Sequence, residues 1–212
     1  MRFHQPLNEI LGSAAKVRVL RFFCQKGGEW NGRQAAAQLA MNPVTAHRAL
    51  RELYGETLLD FRPVGTHFLY SLRDGHYLVR DLLKPLFKEE DRARERVGEL
   101  IREILKGDLK REVVTVALYG SAAKGQERPT SDLDLLVLVK SDRARRRIEA
   151  GLDRFSRMAS AEFGNVPAAY VNTVREARRK DFRGMPLFKA IRAQHRVIYG
   201  RPLSETLRGQ TA

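Results

Sequence analysis

The stretch that most restricts this chain is LYGSAAKGQERPTSDLDLLVLV, residues 118–139. Its second half is an almost continuous run of Leu and Val of strand length, the pattern of a strand covered on both faces. That strand, read here as 132–139, opens on two carboxylates one residue apart, Asp132 and Asp134. Side chains alternate along a strand, so both project from one face and lie close together. Like charges at that spacing repel, and burial raises the pKa of at least one of them. A divalent cation removes the penalty. Oxygen donors suit Mg²⁺, which usually takes one or two carboxylates plus substrate phosphates. The preceding turn, Gly120-Ser121-Ala122-Ala123, supplies the complement. Gly120 lets backbone approach closely, and Ser121 offers a hydroxyl and an N–H. A short helix beginning within 121–126 would present free N–H groups to phosphate, with Lys124 adding a point charge. Asp132 and Asp134 are therefore the expected metal-binding and catalytic pair. Gly120, Ser121 and Lys124 are the expected nucleotide-binding residues, and Mg²⁺ with a nucleoside triphosphate, ATP foremost, is the expected ligand.

The surroundings read as α/β. EVVTVALY before the turn and PAAYVNT after it are strand candidates, Ala144–Met158 is a strongly basic helix, and MPLFKAIRAQHRVIY reads as a helix stopping at Gly200. Together these define a region 108–212.

GSAAKGQERPTSDLDLLVLV resembles the signature of the DNA polymerase β-type nucleotidyltransferase superfamily, a Gly-Ser turn followed by Asp-x-Asp on the next strand. Size and spacing are most similar to the minimal nucleotidyltransferases, a branch related to kanamycin nucleotidyltransferase, over about residues 108–200. The resemblance implies an α/β (α+β) nucleotidyltransferase fold and attack on the α-phosphorus of a triphosphate with pyrophosphate leaving. It also implies metals on Asp132 and Asp134, and phosphates held by Ser121 and the backbone at Gly120. Active members carry a third carboxylate on a neighbouring strand. The strand expected to carry it, VPAAYVNT, has no Asp or Glu. Asn172 offers a neutral oxygen there, and Glu162 and Glu176 flank it. Three readings stay open: an active enzyme recruiting Glu162 or Glu176, a non-catalytic nucleotide or partner sensor of antitoxin-like kind, and an interaction module. The resemblance further implies a HEPN-type protein as partner.

The first 75 residues have a different pattern. Ala14, Val17, Leu20, Arg21 and Cys24 follow helical spacing behind Ser13 as N-cap, and the helix should stop at Gly27-Gly28. A short helix fits 32–39, and a third fits 44–54 with Pro43 in its first turn. LLDFRPVGTHFLYSL reads as a hairpin around Pro63-Val64-Gly65-Thr66. Residues 12–73 closely resemble the winged helix-turn-helix domain of bacterial transcription regulators. Ala46, Leu50 and Leu53 face the core of the third helix. By the analogy Thr45, His47, Arg48 and Arg51 face the major groove of double-stranded DNA, and Arg62 and His67 lie on the wing. A purely protein-contacting role is the alternative.

Residues 76–107 form a helical connector with two apolar stripes, Leu78/Leu82/Leu83/Leu86/Phe87 and Val97/Leu100/Ile101/Ile104/Leu105. Pro85, inside the first stripe, calls for a kink or two helices. The stripes offer packing within the chain or across a homodimer.

The formal net charge is +14, carried as +4 in residues 1–75, zero in 76–139 and +10 in 140–212. Such an excess suits a polyanion or an acidic acceptor, or serves as a solvated surface. No run reaches the length of a membrane span, and the start lacks a signal-peptide pattern. One cysteine, Cys24, excludes an intrachain disulfide, fits a reducing cytoplasm and reads as core packing.

Overall fold

The computed structural model describes residues 2–65 and 67–208, with only the backbone for His67 and Arg94. It divides into two compact units, Met1–Arg92 and Ala93–Ala212.

The first unit opens with a short α1 (Pro6–Ile10) and continues into α2 (Ala14–Lys26). Ser13 caps α2 by accepting from the Lys16 N–H at 3.3 Å. The buried face of α2 is Lys16, Val19, Leu20, Phe22 and Phe23, so the stripe expected from Ala14 through Cys24 is rotated. Two adjacent phenylalanines carry more apolar area than the small residues, and they decide which face turns inward. Cys24 is half-buried against this core, and burial pushes its thiol up to about 11. After β1 (Trp30–Asn31) come α3 (Gly32–Gln38), opened by an Asn31/Gln34 capping box, and α4 (Pro43–Gly55), with Pro43 at its start. β2 (Leu59–Val64) and β3 (His67–Leu72) form the hairpin, and the sheet order is β1-β3-β2. Pro63 and Val64 are strand residues paired with Phe68 and His67, so the turn is tighter than the four residues expected. The three helices α2, α3 and α4 and a hairpin with a third short strand make this unit a winged helix.

A π-helical turn at Val79–Leu83 leads into α5 (Lys84–Ile104). Lys84 donates its N–H to the Val79 carbonyl, five residues back, and Pro85, which has no N–H to donate, follows in the first turn of α5. The connector residues divide between two cores. Leu78, Val79, Leu83 and Phe87 join the first. Val97, Leu100, Ile101, Ile104 and Leu105 join the second.

The second unit comprises α6 (Leu109–Glu112), β4 (Val113–Leu118), α7 (Gly120–Lys124), β5 (Leu133–Val139) and α8 (Asp142–Phe163). It continues with β6 (Pro167–Thr173), α9 (Val174–Phe182), α10 (Pro186–Ala193), β7 (Arg196–Gly200) and α11 (Leu203–Leu207). The sheet order is β6-β5-β4-β7, with β5 and β6 parallel and the other pairs antiparallel. Leu135, Val137 and Val139 face a core with Ile148 and Phe155 of α8. Leu136 and Leu138 face another with Ala177, Phe188 and Ile191. A strand buried on both faces is what LLVLV requires. The helix expected to reach Gly200 instead ends at Ala193, and Arg196–Gly200 is a strand on β4. Its Val197-Ile198-Tyr199 run is β-branched and aromatic, and β4 leaves an edge there to be paired.

Candidate functional site

Tyr119 follows β4 and donates its backbone N–H to the Asp134 carbonyl at 3.0 Å. The chain then turns at Gly120, which has φ +69° and opens α7. A Cβ there would lie 2.1 Å from Asp134 Oδ2, so the carboxylate rests directly over the Gly120 backbone. Only glycine accepts both the left-handed φ and that approach. Asp134 is half-buried, and its carboxyl is held above the usual aspartate range by burial first and by Asp132 second. Asp132 precedes β5 instead of opening it and is exposed. It stands at the rim of a cavity of about 150 Å³ shared with Ala122, Glu127, Leu133 and Phe163. The loop before it is pinned by Asn165, whose amide donates to the Ser131 carbonyl at 2.8 Å and to that of Pro129 at 3.3 Å. Ser121 is half-buried in the first turn of α7, and Lys124 is exposed at its end. The structure thus brings Gly120, Ser121, Asp132 and Asp134 to one corner. Glu127, at the same cavity, escaped the sequence reading because nothing in its spacing separates it from a loop charge.

β6 runs beside β5 in a register that puts Ala168 opposite Asp134, Tyr170 opposite Leu136 and Asn172 opposite Leu138. No carboxylate occupies this face of β6. Glu162 is held by Arg96 through two hydrogen bonds at 2.7 and 3.2 Å. Glu176 closes the capping box of α9 with Thr173 and pairs with Arg145. Both acids that sequence spacing offered as substitutes are therefore engaged elsewhere. Among the described residues no group of three His, Cys, Asp or Glu converges on one point. Two carboxylates beside a small-residue turn fit a single Mg²⁺ completed by phosphate and water oxygens, and they do not fit a second ion.

The N-terminal unit presents a separate surface. Ala46, Ala49, Leu50 and Leu53 of α4 are buried, while His47, Arg48 and Arg51 are exposed and Thr45 is half-buried. His47, Arg48 and Arg51 line a shallow depression of about 660 Å³ with Arg33, Val44 and Glu52, and Thr45 does not line it. His47 lies against α3, where a Cβ on Gly32 would meet its ring at 2.3 Å. Arg48 reaches Glu52 at 3.9 Å. Arg62 is held on the wing by Glu29, to which its Nε and Nη2 donate as a bidentate pair. The side chain of His67 lies outside the described residues. Arg33 was not anticipated, since a lone arginine on an Ala-rich helix carries no sequence signal.

Gly120, Ser121, Asp132 and Asp134 thus stand together in the second unit, beside a strand buried on both faces. Residues 99–193 match the family model described as a nucleotidyltransferase domain, and the second unit carries that domain. No curated protein matches the chain. Two solved structures are similar to parts of it. One is the solution structure of the homodimeric winged helix-turn-helix DNA-binding domain Mb0332 from Mycobacterium bovis, described as a possible ArsR-family regulator. It is 23% identical over 42% of this chain and 78% of that one, with a TM-score of 0.34. The other is the crystal structure of a toxin-antitoxin with AMP-PNP, 15% identical over 54% of this chain and 77% of that one, with a TM-score of 0.35.

Proposed function

We propose that the nucleotidyltransferase domain binds a nucleoside triphosphate with Mg²⁺ and transfers its nucleoside monophosphate to an acceptor, in a chain whose winged helix binds duplex DNA. The observation that carries the reading is the Asp134 carboxylate lying over Gly120 with Asp132 beside it. Asp132 and Asp134 would hold the ion, which when bound neutralises phosphate charge. Ser121 and the backbone at Gly120 hold and orient the triphosphate, with Lys124 as a nearby cation, so that an acceptor oxygen meets the α-phosphorus and pyrophosphate departs. ATP is the expected nucleotide. The +10 charge of residues 140–212 supports an acidic acceptor, and the resemblance supports a HEPN-type protein in that role. Tyr77, Leu82 and Leu86 are exposed apolar groups that support a homodimer. A lone cysteine supports a cytoplasmic setting. None of the described helices is long and apolar enough to cross a membrane.

The vacant third-acid position favours a second reading, in which the domain binds nucleotide without turnover and reports to the DNA-binding unit. Calorimetry with Mg·ATP beside an assay for pyrophosphate release separates the two. Binding with release supports transfer, and binding alone supports the sensor. Asp132→Asn with Asp134→Asn should abolish both signals, and undiminished binding in that variant would remove the site.

A further inference from the structure

On the sheet face that carries Asp134, the place beyond Tyr170 is held by a cation. Lys180 of α9 is half-buried and donates to the Tyr170 hydroxyl at 2.8 Å and to Asn172 Oδ1 at 2.5 Å. Its ammonium also lies 4.9 Å from the Tyr170 ring centroid. Both hydrogen-bond partners are neutral, and among the described residues no carboxylate lies within ion-pair distance of it. A part-buried ammonium whose two protein partners are neutral keeps its full charge available to an anion.

A second observation points the same way. Asn172 is 1% exposed, and its Nδ2 has no hydrogen-bond partner. Its orientation follows from Lys180, which can only donate, so Oδ1 must face the ammonium and the amide N–H groups are left over. An ammonium with a spare proton and an orphaned amide donor therefore stand together. The strand register sets Tyr170 diagonally across from Asp134, about 8 Å away by strand spacing and rise.

We infer that Lys180, positioned by Tyr170 and Asn172, binds a phosphate oxygen of a ligand lying along the Asp134 face, so that an ammonium supplies there the positive charge a second metal ion would otherwise bring. The phosphate belongs either to the triphosphate tail or to a phosphorylated acceptor, and the chemistry of capture is the same. The inference deepens the nucleotide reading and rests on it for the neighbouring ligand, though not for the anion itself.

The test is calorimetric titration of the full chain with three probes: inorganic tripolyphosphate without Mg²⁺, Mg·ATP, and a 5′-phosphorylated oligonucleotide. Lys180→Met should weaken tripolyphosphate about tenfold or more, the scale of one lost charge-assisted hydrogen bond, while Lys180→Arg should stay within about threefold. An added loss for Mg·ATP alone assigns the phosphate to the nucleotide tail, and an added loss for the oligonucleotide alone assigns it to the acceptor. Thermal melts report whether Lys180→Met folds. Should it not, Lys180→Gln, which keeps a donor for Asn172 and Tyr170, is read in its place. Wild-type affinity for all three probes in a folded neutral variant overturns the inference and leaves the nucleotide reading standing. Binding of tripolyphosphate that depends on Lys180 in a chain that ignores Mg·ATP does the reverse. A wild-type chain that binds none of the probes overturns both.

Discussion

Asp134 is held where its own charge is unfavourable. A carboxyl whose folded pKa lies above its unfolded value favours the fold while protonated, and that contribution is lost as pH rises from the usual aspartate range through the raised value. At neutral pH without ligand, Asp134 therefore weakens the domain. Asp134→Asn should raise the melting temperature of the ligand-free protein at pH 7 and leave it little changed at pH 3, while nucleotide binding is lost. An unchanged melting temperature at pH 7 would show that the carboxylate is not strained. Gly120→Ala brings a methyl to within 2.1 Å of Asp134 Oδ2 at φ +69°, so it should cost about 1–3 kcal/mol and displace the carboxylate. Chemical denaturation beside Mg·ATP calorimetry checks both effects. Neither the clash nor the pairing of Glu162 with Arg96 and of Glu176 with Arg145 could be read from spacing, because each depends on a partner in another element, whereas the Thr173/Glu176 capping box is a local Thr-x-x-Glu pattern.

At the scale of elements, α4 and β5 were the most readable. The spacing of Ala46, Leu50 and Leu53 identified the inward face of α4, and with it the outward Arg48 and Arg51. Each arginine that contacts phosphate should lower the slope of log affinity against log salt by about one when changed to alanine. A slope unmoved by Arg48→Ala and Arg51→Ala would assign this face to protein contacts. Arg62 is spent on Glu29 and should matter less than either. β5 announced itself by composition, and Leu136→Ala, at a site with no solvent exposure, should cost about 2–5 kcal/mol by urea denaturation. β7 was misread because RVIYG continues the apolar spacing of α10 and only the open edge of β4 turns it into a strand.

For the molecule as a whole, two compact units, each with its own apolar packing, predict unfolding that is not a single all-or-none event. Scanning calorimetry should resolve two transitions, and Leu136→Ala should lower one by several degrees while leaving the other in place. One transition that shifts as a unit would contradict this. The charge distribution works at the same scale, since the excess of +10 falls in residues 140–212, within the nucleotidyltransferase unit. High ionic strength should therefore weaken acidic-acceptor binding as well as DNA binding.

The sequence by itself determined α2 to α4 and the hairpin of the first unit, the strands β4, β5 and β6, the two kinds of domain and the aspartate pair beside its Gly-Ser turn. These rest on local spacing, turn chemistry and composition, which act between residues close in the chain. Tertiary structure alone decided which strand edge Arg196–Gly200 fills, that Asp134 lies on Gly120, that Glu162 and Glu176 are already bound, and that Lys180 stands with Asn172 and Tyr170. The physical reason is that the β4–β7 pairing and the Glu162–Arg96 and Glu176–Arg145 pairs join segments far apart in the chain, while Asp134 on Gly120 and Lys180 with Tyr170 and Asn172 depend on how neighbouring elements fold back on one another, and periodicity carries no record of either.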